Sequence, residues 1–180
     1  MNQLQGKTAF ITGVSAGIGK AAALALGKEG ANLILSARRK SIVDKIATEI
    51  RKKYGVKTYE FMLDVRNSDE VQKAIDSLPE EWKNIDILIN NAGLARGFNK
   101  MYEDDIDDWN QMIDTNIKGL LYVTRSIVPG MIKRKTGHII NIGSIAGHQA
   151  YPNGAVYAST KHAVNAITQG LRMDLLGRRS

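Results

Sequence analysis

Short apolar runs alternate along the chain with longer stretches in which apolar residues recur every three or four positions. The first pattern fits buried strands and the second amphipathic helices. Residues 7–12 (KTAFIT) predict a first strand, and the Ala-, Leu- and Gly-rich stretch 17–29 a first helix. LILS at 33–36 predicts a second strand. Residues 41–53, with apolar Ile42, Val43, Ile46 and Ile50, predict a second helix. KTYEFML at 57–63, IDILIN at 85–90 and HIINIG at 138–143 predict three further strands. A short helix is expected over 68–77, ended near Pro79. A long helix follows over 104–134, with an irregularity at Pro129-Gly130, and a final helix over 154–177.

The resulting order is β-α-β-α-β-α-β-α-β-α. Strands this apolar, separated by helices, imply a parallel sheet covered on both faces. Right-handed crossovers then restrict the topology to an α/β, Rossmann-like, doubly wound parallel sheet. No repeat, low-complexity tract or linker interrupts it, so residues 1–180 read as one domain.

Composition narrows the function classes. With no cysteine among the 180 residues, a disulfide scaffold, a Cys-ligated zinc site and a cysteine nucleophile are excluded. MNQLQGKTAFITG lacks the basic region and apolar core of an export signal, and no apolar run approaches a membrane span, so the cytoplasm is the default expectation. The net charge of +7 raises nucleic acid as a partner, but no aromatic-basic platform or recognition motif accompanies it. The basic residues sit mostly in helical stretches, such as Arg38, Arg39, Lys40 and Arg51, Lys52, Lys53, where a solvated helix face accounts for them.

The first strand runs directly into Thr12-Gly13-Val14-Ser15-Ala16-Gly17-Ile18-Gly19, and the next helix begins inside this loop. Glycines there permit a tight turn and let backbone amides approach a pyrophosphate, beside the positive end of a helix dipole. A purely structural turn would also explain Gly13 and Gly17. Placement after the first strand of an alternating pattern favours a dinucleotide-binding domain. At the end of the second strand, where an acid would receive a ribose 2′-hydroxyl, the chain reads Ser36-Ala37-Arg38-Arg39. Arginines suit a 2′-phosphate, which points to NADP rather than NAD; the alternative is two solvated arginines at a helix start. Asp64 and Val65 follow the third strand where an adenine would lie, with Ser68 or Asn67 as the cap of the next helix.

Taken together, TGVSAGIG at 12–19, LDV at 63–65, NNAG at 90–93, Asn116, Ser144 and YASTK at 157–161 resemble the short-chain dehydrogenase/reductase family, in its motif order and across the whole chain. LPEEWKNIDILINNAGLARG, DTNIKGLLYVTRSIVPGM and GHIINIGSIAGHQAYPNGAVYASTKHAV further resemble the NADP-dependent 3-hydroxy acid dehydrogenases within it, which oxidise serine-like and 3-hydroxypropionate-like substrates.

The residues themselves carry part of the chemistry. Tyr157 and Lys161 stand four apart and so share a helix face. Ionising a free tyrosine at pH 7 costs roughly 4 kcal/mol. One cation about 4 Å away contributes on the order of 4 kcal/mol at an effective dielectric of 20. Tyr157 could then act as general base on an alcohol or general acid on a carbonyl. The resemblance implies that Lys161 also binds the nicotinamide ribose and that Ser144 holds the reacting oxygen. It implies that Asn116 holds a water linking Lys161 to solvent, and that Asn91, Ala92 and Gly93 meet the cofactor. Asn90 reads equally as structural or binding. The implied partner is a small hydroxy acid or carbonyl compound, with no nucleic acid and no membrane. The resemblance also implies a homo-oligomer formed through helices 104–134 and 154–177.

Other polar residues have weaker claims. His138, His148 and His162 lack metal-ligand spacing, and no metal site is expected. His148 and Arg96 could face a substrate carboxylate. The acids Glu103, Asp104, Asp105, Asp107 and Asp108 suit the start of a helix. The family pattern continues past residue 180 with a sixth strand, a Pro-Gly loop over the nicotinamide, a mobile lid and a seventh strand. Relative to it the chain reads as C-terminally truncated. A fragment of an active enzyme, a natural short product and a chain whose open edge a partner covers are the competing accounts. A non-catalytic nucleotide-binding or assembly module is the alternative to an enzyme.

Overall fold

The computed structural model describes residues 3–177. Five strands, β1 (Thr8–Thr12), β2 (Asn32–Ala37), β3 (Thr58–Met62), β4 (Ile87–Asn90) and β5 (His138–Asn141), form one sheet in the order β3-β2-β1-β4-β5. Every pairing is parallel, with Ala9 beside Leu33 on one flank of β1 and beside Ile87 on the other. The helices are α1 (Gly17–Lys28), α2 (Lys40–Tyr54), α3 (Ser68–Asp76), α4 (Ile106–Ile113), α5 (Leu120–Arg134) and α6 (Ala155–Leu176).

All five residues of β1 are buried, as a central parallel strand requires. Its side chains alternate between faces. Ala9 and Ile11 join Leu33, Leu35 and the buried face of α2 (Val43, Ile46, Ala47, Ile50). Phe10 joins Ile34, Leu88, Val71 of α3 and Val123, Ile127 and Met131 of α5. Burying each Val, Leu, Ile, Phe or Met side chain among these is worth about 1.5–3 kcal/mol, so the two apolar layers hold the helices to opposite faces of the sheet. The chain leaves β1 toward β2 but reaches β4 on the opposite flank. The carboxyl ends of β1 and β4 therefore face a crevice between diverging connections.

The elements lie where the hydrophobic pattern places them, with differences in the long helix. It starts at Ile106, because the Asp105 side chain accepts from the Asp107 N–H at 2.8 Å and caps it there. It is interrupted at Asp114–Gly119, which winds as a π-helix, and not at Pro129-Gly130. Pro129 and Arg125 both lie on the exposed side of α5, where water can satisfy the carbonyl that proline leaves without a donor. The cap of α3 is Asn67, whose side chain accepts from the amides of Asp69 and Glu70. β5 ends at Asn141, and short 3-10 turns at Glu80–Trp82 and Ile145–Gly147 were not anticipated.

The π segment is pressed against the end of β3. A Cβ on Gly119 would stand 2.5 Å from Val65 Cγ2 and 3.2 Å from the Val65 carbonyl, whereas one on Gly170 in α6 would meet nothing within 4 Å. Gly119→Ala should therefore destabilise the fold by about 1–3 kcal/mol. Gly170→Ala should stabilise it by roughly 0.5–1 kcal/mol, through helix propensity alone. Urea unfolding of the two variants tests the opposite signs.

Candidate active site

The crevice opens into a cleft of about 770 Å³. Gly13, Ser15, Gly17, Ile18, Arg38, Arg39, Asp64 and Val65 line it at one end. Asn91, Ala92, Gly93, Tyr157 and Lys161 line the other. Of the remaining expected residues, Gly19 is buried behind the wall, and Asn116 and Ser144 stand outside the lining.

Contact between the ends of β1 and β4 builds the floor. Thr12 is 2% exposed, and its Oγ1 accepts from the amides of Asn91 and Ala92 at 3.1 and 3.0 Å. The Asn91 Nδ2 returns hydrogen bonds to the carbonyls of Thr12 and Gly13 at 2.9 and 3.0 Å. Gly13 has φ +71, and a Cβ there would lie 2.8 Å from the Ala92 Cα, so conformation and space both demand glycine. The Asn91 side chain thus clasps the turn and presents only its remaining surface to the cleft. Asn90 has a structural role: its Nδ2 donates to Thr124 on α5 and to Asn141 on β5, both at 2.9 Å.

Above the floor, α1 begins without a side-chain cap, so its opening amides lack acceptors. Gly17 has φ +55, and nothing lies within 4 Å of where its Cβ would be. Arg38 and Arg39 are exposed at this end, and the Arg39 Nη2 donates to the Ser15 Oγ at 2.9 Å. Asp64 is gripped by Arg66, whose Nε stands 3.0 Å from both carboxylate oxygens and whose Nη2 stands 2.6 Å from Oδ2. That hydrogen bonding holds the Asp64 carboxyl below the ordinary aspartate range against the opposing effect of burial, aided by the positive charges of Arg66 and Arg38. Arg66 was not anticipated, although it stands two residues past Asp64 in the LDVR stretch.

At the opposite end, Lys161 is only 7% exposed, and its Nζ donates to the Ile142 carbonyl at 2.9 Å. The same Nζ lies 5.9 Å from the centre of the Tyr157 ring. Asn116, which the π segment aims inward, is fully engaged. Its Oδ1 accepts from the Leu94 amide at 2.9 Å, and its Nδ2 donates to the Leu94 carbonyl at 2.8 Å and to Thr160 at 3.0 Å. Gly93 fits beneath, where a Cβ would sit 3.2 Å from Asn116 Oδ1 and 3.8 Å from Lys161 Nζ. Ser144 Oγ accepts from the Ala146 amide at 3.2 Å, which leaves its hydroxyl proton free to donate. The 3-10 turn that it caps packs on α6, for a Cβ on Gly147 would lie 2.8 Å from the Lys161 carbonyl. Thr12 and Thr160 stand inside the TGVSAGIG and YASTK stretches but were not singled out there, and the Ile142 carbonyl had no distinguishing signal in the sequence.

The weaker candidates fall elsewhere. Arg96 pairs with Asp108 at 3.5 Å, and His148 is exposed; neither lines the cleft. His138 is exposed at the start of β5, and a ring nitrogen of His162 lies 2.9 Å from the Ala158 carbonyl.

A parallel sheet of this order, a glycine turn at its switch point and a Tyr–Lys pair on α6 define a dinucleotide-fold enzyme class. Residues 7–179 match the short chain dehydrogenase family, and the chain belongs to it. It is 44% identical over 180 residues to an NADP-dependent 3-hydroxy acid dehydrogenase of Schizosaccharomyces pombe, covering 99% of this chain and 70% of that protein. It is 44% identical over 168 residues to the NADP-dependent 3-hydroxy acid dehydrogenase YdfG of Escherichia coli K12, covering 93% and 66%. Among solved structures, the closed form of serine dehydrogenase complexed with NADP+ superposes with a TM-score of 0.86 at 43% identity, covering 93% of this chain and 66% of that one. NAD+-bound xylitol dehydrogenase superposes with a TM-score of 0.93 at 30% identity, covering 97% and 67%. The chain thus spans about two-thirds of the length of these proteins. No helix of the described residues is long and apolar enough to cross a membrane.

Burial pulls the Lys161 ammonium below its ordinary value of 10.5. Below the folded-state value, the fold carries the full penalty of a desolvated cation. As pH rises from there toward 10.5, the folded chain gives up the proton before the unfolded chain does, and the penalty is relieved. The stability of the wild type relative to Lys161→Met should therefore increase with pH through that window. Urea midpoints of both chains at neutral and strongly alkaline pH check the sign; a flat difference would mean that the ammonium is not desolvated.

Proposed function

We propose that this chain is the nucleotide-binding and catalytic part of an NADP-dependent oxidoreductase acting on a secondary alcohol, a 3-hydroxy acid such as serine or 3-hydroxypropionate. The observation that carries the reading is the pairing, within one cleft, of two exposed arginines at the β2 end with Tyr157 and buried Lys161 at the other. The donor set fits the cofactor. The uncapped start of α1 and the open space over Gly17 suit a pyrophosphate. Arg38 and Arg39, with no carboxylate at the end of β2, suit a 2′-phosphate. Asp64 faces the adenine side, and Gly93 lets the sugar approach. The relatives' names support the same cofactor and substrate class.

Bound nicotinamide would supply the hydride acceptor or donor. The chain's own residues then handle the proton. The Tyr157 phenol takes the proton from the substrate hydroxyl, or returns it to the carbonyl oxygen in the reverse direction. Lys161 sets the charge balance. Its ammonium is shielded from water, so its attraction for negative charge on the Tyr157 oxygen is far stronger than a surface lysine would exert. Ser144 donates its free hydroxyl proton to the substrate oxygen and fixes its orientation. Asn116 supports the relay of protons from Lys161. Its side chain is committed to Leu94 and Thr160, and so ties the β4 side of the cleft to the helix that carries Lys161. Self-association through 104–134 and 154–177 belongs to the same reading, supported by exposed Ile113, Leu121, Met173 and Leu176. Sedimentation equilibrium measures it.

Saturating NADP should raise the melting temperature of this chain more than NAD does; a ligand at 100 times its Kd adds about 2.7 kcal/mol. Arg38→Asp should erase the difference, and an unaltered preference would remove the 2′-phosphate assignment. Tyr157→Phe should keep NADP binding while lowering 3-hydroxypropionate oxidation by roughly 10²–10⁴-fold, the range for loss of a general base.

A further inference from the structure

Asn153 is the chain's only asparagine followed by glycine. It lies between the turn capped by Ser144 and the start of α6. The Gly154 amide donates to the Tyr151 carbonyl at 3.1 Å, which makes Tyr151–Gly154 a reverse turn with Pro152 and Asn153 at its centre. Asn153 has φ 64, in the left-handed region that side chains disfavour, and it is exposed.

Its carboxamide makes no hydrogen bond, whereas those of Asn32, Asn67, Asn90, Asn91, Asn116 and Asn141 are each engaged. Asn84 and Asn110 are also unengaged, but Ile85 and Gln111 follow them, and those side chains crowd the amide nitrogen that would have to react. Among the described residues, only at Asn153 do a free carboxamide, an exposed side chain and a following residue without a side chain coincide. Against reaction stand one turn hydrogen bond and the Tyr151 ring over Gly154.

We propose that Asn153 is a site of spontaneous deamidation that ages the start of helix α6. The Gly154 nitrogen, losing its proton to base, attacks the Asn153 Cγ. A C–N bond forms, the carboxamide C–N bond breaks, and ammonia departs. Water then opens the resulting succinimide at either carbonyl, giving aspartate or isoaspartate with no change of oxidation state. Each product places a carboxylate beside the N-terminus of α6. The isoaspartyl product also lengthens the main chain by one methylene directly before Gly154, whose carbonyl accepts the first helical bond from the Ala158 amide at 2.8 Å. Tyr157 lies in that first turn. The chemistry at Asn153 is independent of the proposed function; only its bearing on Tyr157 rests on that reading.

The test is to incubate the folded 180-residue chain in mildly alkaline buffer at physiological temperature, with a parallel sample held in urea. Peptide mapping by mass spectrometry, with enzymatic methyl labelling of isoaspartate, follows each asparagine. The expected result is amide-to-acid conversion with isoaspartate at residue 153, an order of magnitude faster than at Asn84 or Asn110, and abolished in Asn153→Gln. Conversion in urea with none in the folded chain over the same period would overturn the proposal, since the turn would then be protective. Equal rates at the three asparagines would overturn it as well. Hydrogen–deuterium exchange of amides 155–158 should accelerate severalfold in the aged chain; unchanged exchange would overturn the claim that the damage reaches α6. None of these readouts requires turnover or cofactor binding.

Discussion

The closure of the β1 end against the β4 end is the constraint on which the site depends. Thr12 and Gly13 face Asn91 and Ala92 through four hydrogen bonds and a backbone approach that excludes any side chain at position 13. Each bond contributes only about 1 kcal/mol. Their weight lies in geometry. They bring the glycine turn and the NNAG stretch, some eighty residues apart in sequence, into one floor at the topological switch point. A wider gap would leave the start of α1 pointing at solvent, and the cleft would lose the wall that separates its two ends.

Charge is handled in opposite ways at those ends. Arg38 and Arg39 stay exposed, where an ion at about 4 Å interacts by only about 1 kcal/mol in water-like surroundings. In the proposed reading they would recognise a phosphate by shape and by the number of donors they offer, and their exposure costs folding little. Lys161 is buried with its Nζ bonded to the Ile142 carbonyl, and burial lowers its basicity by disfavouring the charged form. The same dryness raises the strength of its field at Tyr157. On the proposed reading, stability is given up at the end where a proton would move and conserved at the end where a phosphate would be recognised.

The hydrophobic pattern made the sheet legible because each strand is a short apolar run whose partners are strands of the same kind. β1 reads as buried on both faces, and it is. The glycine turn, the two arginines and the Tyr157–Lys161 spacing were legible for a similar reason: each is local in sequence. What stayed hidden depends on distant contacts. The π segment at 114–119 answers to Val65 and Leu94, which the local pattern around it cannot display. Pro129 drew attention as a helix breaker, but its exposed setting makes it harmless. Arg66 carries no local signal that sets it apart from a surface cation; its role appears only in the hydrogen bonds it donates to Asp64.

Asn116 joins the two halves of the far end of the cleft. The resemblance implies that it holds a proton-relay water; in the structure both polar ends of its side chain are engaged. What they join matters more. Leu94 continues the β4 wall of the cleft, and Thr160 sits beside Lys161 and donates its own hydroxyl to the Tyr157 carbonyl at 2.7 Å. One carboxamide therefore fixes the distance between the wall where a cofactor would lie and the helix that carries the acid/base pair. The π turn supplies the reason that this residue, and not a neighbour, can do so. Its extra residue rotates the inward face, so that Thr115, Asn116 and Gly119 are all buried over the crevice. A side chain that accepts once and donates twice, pairing with both backbone groups of Leu94 and reaching Thr160 as well, is what such a joint demands. An aspartate there could not donate to the Leu94 carbonyl, and a leucine would leave both Leu94 backbone groups without partners.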